Sequence, residues 1–137
     1  MKALPIAILA GALTAAGALV AARHGSAAPV DWSRAEAVDV RMVEYAFIPK
    51  ALRLHRDVPY RLHLVNAGKE GHDFTAGDFF AAVEVKNRDV LGERGASIYL
   101  HPGESADIYF IAHGAGLFAP RCADHDWAGM TATIIID

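Results

Sequence analysis

Cys122, His125 and Met130 fall on one short stretch with the spacing Cys-x2-His-x4-Met, and Cys122 is the only cysteine in the 137-residue chain. A thiolate, an imidazole and a thioether this close together form a soft donor set. Sulfur ligands suit Cu(I) and imidazole suits both oxidation states of copper, so copper is the metal this set selects. A type 1 site adds a second imidazole to the thiolate and keeps the thioether as a long axial bond. His72, upstream in a Gly-flanked turn, stands where that second imidazole is needed. The expected metal ligands are therefore His72, Cys122, His125 and Met130, holding one copper ion that alternates between Cu(I) and Cu(II). Neutral imidazole and thiolate are the binding forms, so apparent affinity falls at low pH.

Taken singly, these residues have plainer readings. A lone buried cysteine is usually an inert hydrophobe, and methionine fills cores. His72 alone reads as a turn histidine; the spacing around Cys122 sets the group apart. His55 and His63 alternate with apolar residues on strand patterns, and His101 and His113 precede turn glycines or prolines. These four are expected at the surface. Cysteine with two histidines also suits zinc, but that leaves Met130 without a role. A Cys–His hydrolase is weaker, because two residues between nucleophile and base on one tight loop leave little room for an oxyanion site. No carboxylates pair for acid–base work, and the chain is not expected to be an enzyme.

Two loops at one end of a rigid scaffold would bring these residues together, and the pattern supplies such a scaffold. Val38, Val40 and Met42 alternate with Asp39 and Arg41; Leu52 and Leu54 alternate with Arg53 and His55; Leu62 and Leu64 alternate with Arg61 and His63. Ile108 and Phe110 follow, and Ile134-Ile135-Ile136 closes the chain. Turn signals separate the runs at Ile48-Pro49, Asp57-Val58-Pro59, Asn66-Ala67-Gly68, Pro102-Gly103 and His113-Gly114. Short alternating strands with frequent turns predict an all-β sandwich or barrel. One strand is expected from near Leu117 to Cys122, with Thr131 to Ile136 returning. Residues 79–94 fit a strand, a short helix or a covering loop.

The first 28 residues read as an export signal rather than fold. Lys2 precedes an uncharged run from residue 3 to 22 rich in Ala, Leu and Gly, and Ser26-Ala27-Ala28 offers small residues for cleavage. Cleavage is expected; a retained membrane anchor is the alternative. Residues 29–137 then form one domain. Losing Lys2 and Arg23 takes the basic residues from 13 to 11 against 16 acidic, and the net charge from −3 to −5. A chain without a basic face is not suited to nucleic acid. An unpaired thiol in an oxidising compartment is a liability unless something such as a metal occupies it.

From about Val38 to Asp137 the chain resembles the cupredoxin family of small blue copper proteins. The matching stretches are Tyr45-Ala46-Phe47-Ile48-Pro49, Asn66 ahead of His72-Asp73-Phe74, His101-Pro102-Gly103-Glu104, Gly116-Leu117-Phe118, Cys122-Ala123-Asp124-His125 and Gly129-Met130. The Cys-x2-His-x4-Met spacing is that of plastocyanin and pseudoazurin. The resemblance implies a Greek-key β-sandwich, the ligand set already named, and one-electron transfer. Three positions depart from the pattern. Asp73 and Ala123 replace the Asn and Ser or Thr whose side chains clasp the two ligand loops, so that clasp is not expected in its usual form. Pro120 stands where an aromatic is common and lacks the N–H a β-ladder needs. Asp124 and Asp126 flank His125, where the surface is usually apolar, with Trp127 beside them.

The expected function is a periplasmic, monomeric type 1 copper protein that passes single electrons between redox partner proteins by outer-sphere transfer, with the edge of His125 as the port. The alternative is a periplasmic copper-binding protein for tolerance, storage or delivery, without an electron-transfer partner.

Overall fold

A computed structural model describes residues 28–92 and 94–137. The expected export segment lies outside the described residues except for Ala28. Among the described residues, no helix is long and apolar enough to cross a membrane.

The alternating runs become strands. One sheet has five, in the order β2–β1–β4–β8–β6: β1 (Glu36–Val43), β2 (Ala46–Ile48), β4 (Pro59–Asn66), β6 (Glu84–Val85) and β8 (Ser105–Ile111). β3 (Ala51–Leu54), β9 (Gly116–Phe118) and β10 (Thr133–Ile136) form a second sheet, and β5 (His72–Thr75) pairs with β7 (Ser97–Leu100). Bridges from Arg121 to Thr75 on one side and Thr131 on the other join these two small sheets into one layer. The result is a β-sandwich, as the alternation predicts, with the Greek-key arrangement that the resemblance implies. β1 and β4 run parallel, as do β3 and β10, while β4–β8 and β5–β7 are antiparallel.

Strand side chains alternate faces, so each run buries every second residue. β4 turns Tyr60, Leu62, Leu64 and Asn66 inward, β3 turns in Leu52 and Leu54, and β10 turns in Ile134 and Ile136. Phe47, Phe74, Phe79, Phe80 and Phe110 fill the space between layers. Their rings meet at offset or edge-on angles, Phe47 on Phe74 and Phe79 on Phe110 among them, as the quadrupoles of aromatic rings prefer.

Two expectations change in detail. Residues 79–94 resolve into pieces: a short helix α1 (Gly77–Ala82) that buries Phe79 and Phe80, then β6, then a 3₁₀ turn at Arg88–Val90. The strand expected to reach Cys122 stops at Phe118. Pro120 has no N–H to donate, and beyond it only Arg121 continues the ladder, through its single bridges.

Candidate metal centre

His72 is delivered by a turn built around Asn66. That amide is completely buried at the end of β4. Its NH2 donates to the Glu70 carbonyl at 2.8 Å and the Leu100 carbonyl at 2.9 Å, and its oxygen accepts the Gly68 N–H at 2.9 Å. Both amide hydrogens are used, so the turn from 67 to 71 has one geometry, and it places His72 first in β5 opposite Leu100.

The second loop folds on itself. Cys122 N–H donates to the Met130 carbonyl at 3.0 Å, His125 N–H to the Cys122 carbonyl at 3.2 Å, and Met130 N–H to the His125 carbonyl at 3.3 Å. The 3₁₀ turn Asp126–Ala128 ends at Gly129, whose φ of 83° is the left-handed conformation that glycine adopts without strain. The backbones of Cys122, His125 and Met130 are thereby locked together, with Cys122 and Met130 completely buried.

The side chains converge. His72 Nδ1 lies 3.2 Å from His125 Nδ1, and Cys122 Sγ lies 3.4 Å from His125 Nδ1 and 4.0 Å from His72 Nδ1. Among the described residues this trio is the one group of three His, Cys, Asp or Glu side chains whose donor atoms all approach within 4.8 Å. The outer nitrogens face carboxylates: His72 Nε2 is 3.2 Å from Glu44 Oε1, and His125 Nε2 is 3.1 Å from Glu70 Oε2. An ionised carboxylate only accepts, so both Nε2 atoms carry the hydrogen and both Nδ1 lone pairs point inward. Two lone pairs facing each other at 3.2 Å, with sulfur beside them, repel unless a cation lies among them. First-row metal bonds of about 2.0–2.3 Å require donors spaced on the order of 3.3–3.8 Å, a range that the observed 3.2, 3.4 and 4.0 Å bracket. The donor set therefore fits a soft-to-borderline metal ion.

The clasp between the loops exists in another form. Asp73, almost completely buried, accepts the Ala123 N–H at 3.0 Å on each carboxylate oxygen and the Thr75 hydroxyl at 2.5 Å. A backbone donor at 123 replaces the side-chain hydroxyl that Ala123 lacks, so the clasp forms, but not in its usual way. Asp73 N–H donates to Cys122 Sγ at 3.4 Å, and the thiol donates to Asp73 Oδ2 at 3.4 Å. Burial pushes the Cys122 thiol pKa up, and the Asp73 carboxylate adds to it.

The edge of His125 is also less open than expected. The His125 side chain is only 14% exposed, because the Tyr45 ring covers it at a centroid distance of 4.8 Å and Glu70 closes its Nε2 edge. Tyr45 in turn lies 6.0 Å from the ring of Trp127, which is 77% exposed. Asp126 is turned aside in an ion pair with Arg121 at 2.6 Å, and the Asp124 carbonyl accepts the Trp127 ring N–H at 2.9 Å. His55, His101 and His113 are exposed and His63 is half-buried, none of them near the trio's donor atoms. Glu44 and Glu70 were invisible to motif reading: neither has a telling spacing from a ligand, and both lie in polar turns that read as solvated.

No protein-family model matches the chain, and no curated protein matches it in sequence. Solved structures do. The chain is similar to an auracyanin B, with 25% identity and a TM-score of 0.58, covering 79% of this chain and 93% of that one. It is also similar to a dithionite-reduced auracyanin from the photosynthetic bacterium Roseiflexus castenholzii, with 18% identity and a TM-score of 0.55, covering 75% of this chain and 98% of that one.

Proposed function

We propose that this chain, a cupredoxin by fold, is an exported, periplasmic type 1 copper protein that carries single electrons between partner proteins. The observation that carries the reading is the convergence of His72 Nδ1, His125 Nδ1 and Cys122 Sγ at the buried end of the sandwich. Met130, locked to both Cys122 and His125 through its backbone, is the axial candidate. Such a His2Cys set with a weak thioether is the donor pattern of blue copper. Copper bound there supplies a one-electron couple at potentials protein partners can reach. The similarity to an auracyanin studied in its dithionite-reduced form supports a redox role.

The chain's own residues do the rest. Asn66 and the Asp73–Ala123 clasp hold the two ligand loops in one geometry, so the donors have little room to rearrange when charge changes. The buried sulfur is screened from water and oxidants. Tyr45 and Trp127 extend a run of aromatic rings from His125 to the surface, which makes Trp127 the outer contact for a partner. A neutral thiolate-free pocket does not bind well, and the raised thiol pKa makes metal uptake depend on releasing that proton.

One observation favours the copper-handling alternative: the His125 edge is covered rather than open. Electron exchange between oxidised and reduced copper-loaded protein separates the two. Rapid exchange that Trp127→Ala slows supports the carrier; negligible exchange together with copper transfer to an acceptor protein overturns it in favour of delivery.

A further inference from the structure

Each of the three clustered donors has a carboxylate within 3.4 Å of it. Glu44 faces His72 Nε2, Glu70 faces His125 Nε2, and Asp73 faces Cys122 Sγ. None of these carboxylates is free to swing away. Glu44 Oε1 accepts the backbone N–H of Lys69 at 2.5 Å and of Glu70 at 2.8 Å. Glu70 Oε1 accepts the Tyr45 hydroxyl at 3.1 Å. Asp73 is held by Ala123 and Thr75. Gly68 leaves the space that Glu44 needs: a Cβ there would collide with its carboxylate.

Carboxylates on the far side of metal-bound imidazoles fix the tautomer and ring orientation and raise ligand basicity. Fixed negative charge near a metal also stabilises the more positive oxidation state, more strongly where water is excluded. His72 is completely buried and Glu44 only 28% exposed, so their contact is poorly screened; Glu70, 49% exposed, is screened more.

Building on the copper reading above, we infer that Glu44, Glu70 and Asp73 are positioning residues that aim both imidazoles at the sulfur and bias bound copper toward Cu(II). The three groups form one device: orientation comes from Glu44 and Glu70, and the redox bias from all three.

Two measurements test it. In the metal-free protein at mildly alkaline pH, nitrogen-15 NMR of the imidazoles is expected to show His72 and His125 as Nε2–H tautomers. Glu44→Ala and Glu70→Ala are expected to release His72 and His125 respectively into tautomer mixtures. In copper-loaded protein, redox titration of Glu44→Gln and Asp73→Asn is expected to show the Cu(II)-to-Cu(I) affinity ratio falling about tenfold, the lower end for lost outer-shell partners. Tenfold corresponds to a potential rise of about 59 mV for one electron. Glu70→Gln is expected to shift in the same direction and by less. Asp73→Asn keeps the acceptor for Ala123 N–H, so it reports charge with the clasp intact. Nδ1–H tautomers in the wild type, or potentials that stay put in all three variants, overturn the inference while leaving a blue copper site standing. A wild type that forms no thiolate–copper band overturns the copper reading itself and the redox half of the inference with it.

Discussion

At the residue scale the claims rest on a few atoms. Replacing His72 by Ala removes one of two inward-facing Nδ1 lone pairs, and copper affinity is expected to fall at least tenfold, as measured by competition with a chelator of known affinity. Gly68→Ala acts at a distance. Its new methyl group displaces the Glu44 carboxylate, so His72 loses its outer partner and the variant is expected to reproduce the raised potential of Glu44→Gln. Unchanged potential in Gly68→Ala with a raised potential in Glu44→Gln would contradict that link. The candidate cluster was readable in the sequence, because Cys122, His125 and Met130 share one loop and their types and spacing belong together. The carboxylates were not readable. Glu44 reaches His72 across 28 positions through a turn, and Glu70 precedes His72 by two with nothing in its neighbours to mark it. The form the Asp73 clasp takes was unreadable for a similar reason: its partner is a backbone N–H, which every residue but proline carries and no motif records.

At the element scale the two ligand loops depend on what anchors them. Asn66→Ala strips partners from the Glu70 and Leu100 carbonyls and the Gly68 N–H. Buried groups left unpaired cost about 1–3 kcal/mol each. Urea unfolding is expected to show a stability loss in that range, together with weaker metal binding because His72 loses its fixed approach. At the opposite end, Asp137 closes β10 by pairing with Arg53 and with His55. Arg53, then His55, hold its pKa below the ordinary 3.8. A carboxylate with a lowered folded-state pKa adds stability above its unfolded value and loses it as pH falls through the folded one. Asp137→Asn is therefore expected to lower stability slightly at neutral pH, with the difference from wild type shrinking away below about pH 4, the effect being small because the pair is exposed. The strands themselves were legible from period-two alternation. Residues 79–94 were not, because Phe79 and Phe80 are adjacent and both buried, which neither a strand's alternation nor so short a helix announces.

At the scale of the whole molecule, the site is a property of two sheets closing on a shared aromatic core. Phe79 packs against Phe80, Phe110 and Phe118 and is completely buried. Phe79→Ala is expected to cost about 3–5 kcal/mol, a large share of the roughly 5–15 kcal/mol that holds a domain together. Copper adds to that stability through mass action, since the unfolded chain has no such site. With free ion at 100 times the dissociation constant the gain is about 2.7 kcal/mol, so stripping the metal with a chelator is expected to lower the melting temperature. The two-layer architecture was foreseeable from turn spacing, whereas the joining of its second layer through Arg121 was not, because Pro120 breaks the strand that would have carried it. The covered face of His125, with Tyr45 and Trp127 above it, likewise depends on chain segments some 80 positions apart.

The most direct measurement is the visible absorption and electron paramagnetic resonance of the protein after one equivalent of Cu(II), with Cys122→Ser alongside. An intense thiolate-to-copper band and narrow copper hyperfine splitting, both lost in the variant, are the expected result. Weak absorption with ordinary copper splitting in the wild type would contradict the type 1 assignment.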